Sequence, residues 1–176
     1  KDYRDIARGK SGVLMALPVV GALRIAKVDP ARIEDAREAM LWLGVAYQIQ
    51  DDLADLFGLK DGRPPGVDLR EGRMSLPILH YWHGESQPLR EAFAAFIRSA
   101  AGSDETEIQR WLDRLRRSPA VDRCRTDFYS AVRNAENHLE MLPPVLRGTL
   151  EHGKSLLLTA FEKKNAGAAP GGTLLP

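Results

Sequence analysis

The chain has 176 residues, 44% hydrophobic and 28% charged, which suffices for one domain with a buried core and is too short for two. Its 25 basic and 24 acidic residues balance to +1, which excludes the footprint of a non-specific nucleic-acid binder, an acidic tail and a polybasic membrane anchor. One cysteine, Cys124, excludes an internal disulfide, and no Cys/His cluster has zinc spacing, so a reducing, cytoplasmic setting is expected.

Almost every segment carries helical periodicity, and β-branched runs are scarce, so the expected fold class is all-α. The first residues read as the end of a helix that stops near Gly9. A second helix is expected over about 10–27, bent at Pro18, which has no N–H to donate to the Leu14 carbonyl. The apolar run 12–23 falls short of the roughly 20 residues a membrane helix needs, so it is expected to be a buried segment and not a membrane span. The sequence starts at Lys and not Met, so its first residue is expected not to be the natural start.

Asp29-Pro30 combines an N-cap residue with proline at the first helical position and opens a long helix to about Phe57. Its middle, 40–47, is apolar on every side, as in a buried central helix. Residues 58–65 form a loop. Shorter helices follow over about 75–82 and 88–101, after Ser103, and from Ser118-Pro119 to Pro143-Pro144, with a last helix carrying Val145, Leu150, Leu157 and Phe161. The Gly/Ala/Pro-rich stretch 165–176 is expected to be a disordered tail behind a single domain over 1–164.

Asp51, Asp52 and Asp55 are the sharpest feature. Taking Asp51 as zero, Asp55 falls at about 40°, Gln48 at about 60° and Asp52 at about 100° around the helix. Three carboxylates on one face repel one another, and they stand at a helix C-terminus where the macrodipole is already negative. Something positive must offset them, and hard divalent cations such as Mg²⁺ take oxygen ligands and share them with phosphate. Gly44, at about 20° on the same face, leaves room below the carboxylates. With Leu41 it is expected to line an apolar pocket for a hydrocarbon chain. A metal-charged head above such a slot suits an amphiphile with a diphosphate head. Arg63, Asp68, Arg70, Glu71 and Arg73 follow in one segment, where arginine forks suit phosphate. Lys10-Ser11, read as a helix start, offers free N–H groups to an anion, although no Walker loop is present.

Three ordered blocks carry a resemblance: Lys10-Ser11-Gly12, the run 46–55 around Gln48, Asp51, Asp52 and Asp55, and the run 66–77 around Asp68 and Arg73. Together they resemble the C-terminal part of trans-type isoprenyl diphosphate synthases, the polyprenyl synthetase family, and the middle block resembles its second aspartate-rich motif. The resemblance implies an isoprenoid-synthase-type helical bundle that lacks its N-terminal helices. It implies Mg²⁺-dependent condensation of an allylic prenyl diphosphate with isopentenyl diphosphate in isoprenoid biosynthesis. Asp51 would be the direct metal ligand, with Asp52 and Asp55 supporting it. Lys10, Arg63 and Arg73 would bind diphosphate, Asp68 would support the cluster, and Lys10, Ser11 and Gln48 would be the catalytic residues that shield the allylic cation. Ser11 stands where the family more usually has Thr, and Arg63 and Arg73 stand where Lys is more usual.

No DDxxD precedes Lys10 or follows Asp55, so the first aspartate-rich motif of the family is missing. The chain is therefore expected to supply one diphosphate-binding wall, to be inactive alone, and to need an N-terminal half in cis or as a second chain. It should leave bare the apolar face around Leu41, Gly44 and Val45. A homodimer is expected of the complete enzyme. Two alternatives are a class I terpene cyclase, for which no Asn/Ser/Glu metal motif is present, and a non-catalytic helical partner of a synthase.

Overall fold

The computed structural model describes residues 2–166. Among the described residues there is no strand, and the helices run in the order α1 (Tyr3–Ala7), α2 (Val13–Ile25), α3 (Pro30–Phe57), α4 (Val67–Arg70), α5 (Leu76–Gly84), α6 (Gln87–Ser99), α7 (Glu105–Arg117), α8 (Ala120–Leu139) and α9 (Pro144–Ala166). The expected all-α class holds. Helix α9 runs two residues into the expected tail, whose remainder, 167–176, lies outside the described residues. The chain packs as two compact units. One comprises the residues up to Gln50 with Thr126–Glu162; the other comprises Asp51–Arg125 with the described residues from Lys163.

In the first unit, α3 begins as its sequence dictates. Asp29 Oδ1 accepts from the Ala31 N–H at 2.8 Å, and Pro30 occupies the first helical position, where no N–H is needed. Ala36, Ala39, Met40, Leu41 and Leu43 of α3 pack with Ala16 and Leu23 of α2 and with Ala135, Leu139 and Leu150. Alanines that are fully buried let neighbouring backbones approach closely.

The break expected at Gly9 does not occur. Arg8–Gly12 forms a π turn that joins α1 to α2, and the Val13 N–H reaches back five residues to the Arg8 carbonyl. The continuous run Tyr3–Ile25 thus has 23 residues, and its 18-residue apolar window has a mean hydropathy of 1.3, long and apolar enough by length and composition to cross a membrane. Core helices of soluble proteins meet the same measure, so this run does not contradict the sequence expectation, which counted only the uninterrupted apolar stretch. Nor is that stretch buried throughout: Ala16 and Leu23 pack into the core, while Val13, Leu14 and Leu17 are exposed.

The second unit holds the last turns of α3 and helices α4 to α7. Its core is aromatic, with ring centroids 4.9 Å apart for Tyr81–Phe93 and 5.0 Å for Phe93–Trp111. Helix α7 starts at Asp104, whose side chain accepts from the Glu107 N–H at 2.8 Å, and it buries Ile108, Leu112 and Leu115 on one face. Helix α4 was not foreseen. It follows Gly66, whose φ of 70° and close approach to Leu112 (2.3 Å from an added Cβ) leave no place for a side chain.

Candidate functional site

The three aspartates at the end of α3 have different surroundings. The Asp51 side chain is 41% exposed and accepts from Lys60 Nζ at 2.9 Å, in a residue that is partly buried as a whole. Asp52 is 4% exposed, and its Oδ2 accepts from the N–H of Leu76, the first residue of α5, at 2.9 Å. Asp55 is equally buried, and its Oδ2 accepts from the Asp68 N–H in the first turn of α4 at 3.0 Å. The repulsion evident in the sequence is therefore offset by one ammonium and by backbone donors. Lys60 was missed in the sequence because a lysine in an aperiodic loop carries no positional signal.

Asp52, Asp55 and Asp68 line a cavity of about 10 Å³, no larger than one water. Burial, then the Asp55 and Asp52 carboxylates, raise the Asp68 pKa from 3.8 to about 6, against the opposing pull of Lys60 and Arg73. Among the described residues no three His, Cys, Asp or Glu side chains converge to hold a metal ion. The aspartates are thus not a ready-made cage: Asp52 and Asp55 each commit an oxygen to a backbone N–H, while Asp51 turns a carboxylate outward. Hard oxygen donors that are too few to enclose a cation fit Mg²⁺ shared with phosphate.

The arginines also divide. Arg70 makes a fork to Glu105, with both N–O distances 2.6 Å, and gives its Nε to the Pro65 carbonyl at 3.0 Å. That fork holds the Glu105 carboxyl down to about 2. Arg73 is exposed, with Asp68 at 3.7 Å and Glu71 in contact. Arg63 is exposed and pairs with no carboxylate among the described residues.

In the first unit, Ser11 Oγ donates to Gln48 Oε1 at 2.9 Å, and Lys10 is exposed. These residues do not open a helix as expected. They lie inside a continuous helical run, so their N–H groups are not helix-start donors. The room expected over Gly44 is taken up by backbone. A Cβ added at Gly44 would lie 2.2 Å from Gly12 Cα, and one at Gly12 would lie 2.9 Å from the Leu41 carbonyl oxygen. Backbone fills the space that the missing side chain seemed to open. Leu41, Gly44 and Val45 are buried, so they form no bare face; exposed apolar side chains lie instead on α2. Ser11 thus meets Gln48 in the first unit, and Asp52, Asp55 and Asp68 line one small cavity in the second with Arg73 beside Asp68, while Asp51 pairs with Lys60 outside that lining.

The family model for polyprenyl synthetase matches residues 1–115. A short chain isoprenyl diphosphate synthase of Methanocaldococcus jannaschii is 36% identical over 83 residues, 46% of this chain and 25% of that protein. A nonaprenyl diphosphate synthase of Mycobacterium tuberculosis is 34% identical over 105 residues, 58% of this chain and 31% of that protein. Among solved structures, a geranylgeranyl pyrophosphate synthase from Corynebacterium glutamicum, complexed with calcium and isoprenyl diphosphate, superposes with a TM-score of 0.76 at 25% identity. The match covers 92% of this chain and 49% of that one. The chain therefore spans a quarter to a third of these curated relatives, and about half of this structural one.

Proposed function

The chain belongs to the polyprenyl synthetase family, and from that premise we propose that it supplies one metal- and diphosphate-binding wall of a prenyltransferase. The reaction joins an allylic diphosphate to isopentenyl diphosphate and yields a longer prenyl diphosphate. The observation that carries the reading is the division within the acidic cluster: one carboxylate faces outward, and two buried ones fix the segments around it.

In this reading Asp51 would hold Mg²⁺, which would be shared with the substrate's diphosphate. Asp52 and Asp55 keep the start of α5 and α4 in place around it, and Asp68 supports them. Mg²⁺ supplies neutralising charge to the departing diphosphate. Arg63, Arg73 and Lys10 bind diphosphate oxygens. Ser11 and Gln48 turn oxygen dipoles toward the allylic carbon, where positive charge develops. What links the two sets of residues to one substrate is the family resemblance. The partner is an N-terminal half, in cis or as a second chain, within a complete enzyme that is a homodimer; the isolated chain is inactive.

Asp51→Ala in the complete enzyme should lower turnover by at least about a hundredfold, because it removes charge that matters most as the leaving group departs. Steady-state assays with isopentenyl and allylic diphosphates, with and without Mg²⁺, read this. Near-normal turnover would overturn the role of Asp51. Robust product from the purified 176-residue chain alone would overturn the one-wall reading.

A further inference from the structure

The π turn at Arg8–Gly12 is held at both ends on α3. At its start, Arg8 Nη2 donates to Glu38 Oε2 at 2.7 Å, and the same guanidinium lies 5.1 Å from the centre of the Trp42 ring. The other oxygen of Glu38 accepts from Arg37 at 2.9 Å, so the carboxylate is fixed from both sides. The Arg8 and Glu38 side chains are only 25% and 22% exposed, which screens their pairing less than that of a rim pair. At the end of the turn, Gly12 meets Gly44 and Leu41 with no room for a side chain. Between the two anchors lie Gly9, Lys10 and Ser11.

A π turn holds an extra residue, and such turns are rare because the α-helix makes better hydrogen bonds. Relaxation of this turn to α geometry would remove one residue from it. The segment before Gly12 would then rotate by about 100° relative to α2. Gly12 is pinned by backbone contact, so Lys10 and Ser11 would swing, and Ser11 would leave Gln48. At the start of the turn the Arg8 side chain on Glu38 and Trp42 opposes this rotation, next to the buried Ala7. Neither Arg8 nor Glu38 has a role in the substrate contacts assigned above.

We propose that Arg8 and Glu38, with Trp42 under the guanidinium, are positioning residues that hold the widened turn and so keep Lys10 and Ser11 aimed at the substrate. The assignment of Lys10 and Ser11 rests on the prenyl-transfer reading; the holding of the turn does not.

Two measurements separate these claims. In the 176-residue chain, amide hydrogen exchange at residues 9–13 should speed up at least about tenfold in Arg8→Ala, with exchange in the α8 core unchanged. Arg8→Lys, which keeps the charge without the planar fork, should restore part of the protection. In the complete enzyme, Arg8→Ala should lower kcat roughly 10- to 100-fold and change the KM for isopentenyl diphosphate by less than about threefold. Glu38→Gln should do the same, and the double variant should be no worse than either single one. A pair that only stabilised the fold would lower Tm and leave kcat per folded molecule unchanged, which overturns the proposal. Unchanged exchange at residues 9–13 also overturns it. An inactive wild-type complete enzyme would condemn the prenyl-transfer reading, and the exchange data would still decide whether Arg8 and Glu38 hold the turn.

Discussion

The glycine crossing beneath the π turn and the carboxylate cluster at the end of α3 both fix polar side chains on a helix, by opposite means. At Gly12 and Gly44 the fixing element is an absence: two backbones meet because neither residue carries a side chain. At Asp52 and Asp55 it is a presence: buried acceptors seize the N–H groups that open α5 and α4. The first arrangement is intolerant of added volume and indifferent to charge. The second tolerates small changes of volume and fails when an acceptor is lost. Residues of plain sequence character, two glycines and two aspartates, thus acquire their roles from what lies opposite them.

The comparison breaks most visibly if volume is added where none fits. Gly44→Ala should destabilise the chain by about 3 kcal/mol or more, since backbone on both sides must move. Urea unfolding reads this, and a loss below about 1 kcal/mol would show that the crossing yields.

On the electrostatic side, pH is the next lever. The folded pKa of Asp68, about 6, lies above its ordinary 3.8, so the fold binds this proton more tightly than the unfolded chain does. The resulting stability is fully present below about pH 4 and is lost as pH rises through 6, a change of about 3 kcal/mol that solvent screening of this partly exposed group reduces to roughly 2 kcal/mol or less. In metal-free protein, Asp68→Asn should abolish that part of the decline between pH 4 and 6.5. An identical decline in the variant would locate the titration elsewhere.

A finer cut runs inside the cluster. Asp52→Ala leaves the Leu76 N–H without its acceptor and should cost about 1–2 kcal/mol, whereas Asp51→Ala should stay within about 0.5 kcal/mol. Equal losses would mean that the buried and exposed carboxylates are not divided as described. The smallest effect calibrates the backbone side. Lys27 ends α2 at φ 54°, a left-handed conformation unfavourable for a residue with a Cβ. Lys27→Gly should stabilise by about 0.5–1 kcal/mol, measurable as a shift in the unfolding midpoint.

What could be read in the sequence follows the same division. Asp29-Pro30 and Asp104 mark helix starts because caps act within a few residues, and α3 reaches Phe57 as its periodicity predicts. The acidic cluster was legible as a charge problem, but the sequence could not say which carboxylate would be left facing outward, because the capped N–H groups belong to residues 13 and 24 positions away. The π turn left no local trace: Gly9 reads as a helix stop, and the contacts that carry the helix through it lie 30 and more residues downstream. Gly44 was misread for the same reason. A missing side chain signals space, and only the tertiary structure shows that Gly12 fills it.

Asp55 does one thing more. Its carbonyl oxygen accepts from Gly58 at 3.1 Å and from Gly66 at 2.8 Å, while its carboxylate accepts from Asp68. A single residue therefore buttons both ends of the intervening loop, and the tip at Asp61-Gly62 stands clear, with nothing within 4 Å of an added Cβ at Gly62. Because closure is secured at the base, each doubling of the loop's length would cost only about 0.6 kcal/mol. The base therefore tolerates added length better than the tip does: Lys60, which holds Asp51, and Arg63 flank Asp61-Gly62 and are joined across it by a backbone hydrogen bond, so a graft there would tug on the outward-facing carboxylate while leaving Asp55's grip intact.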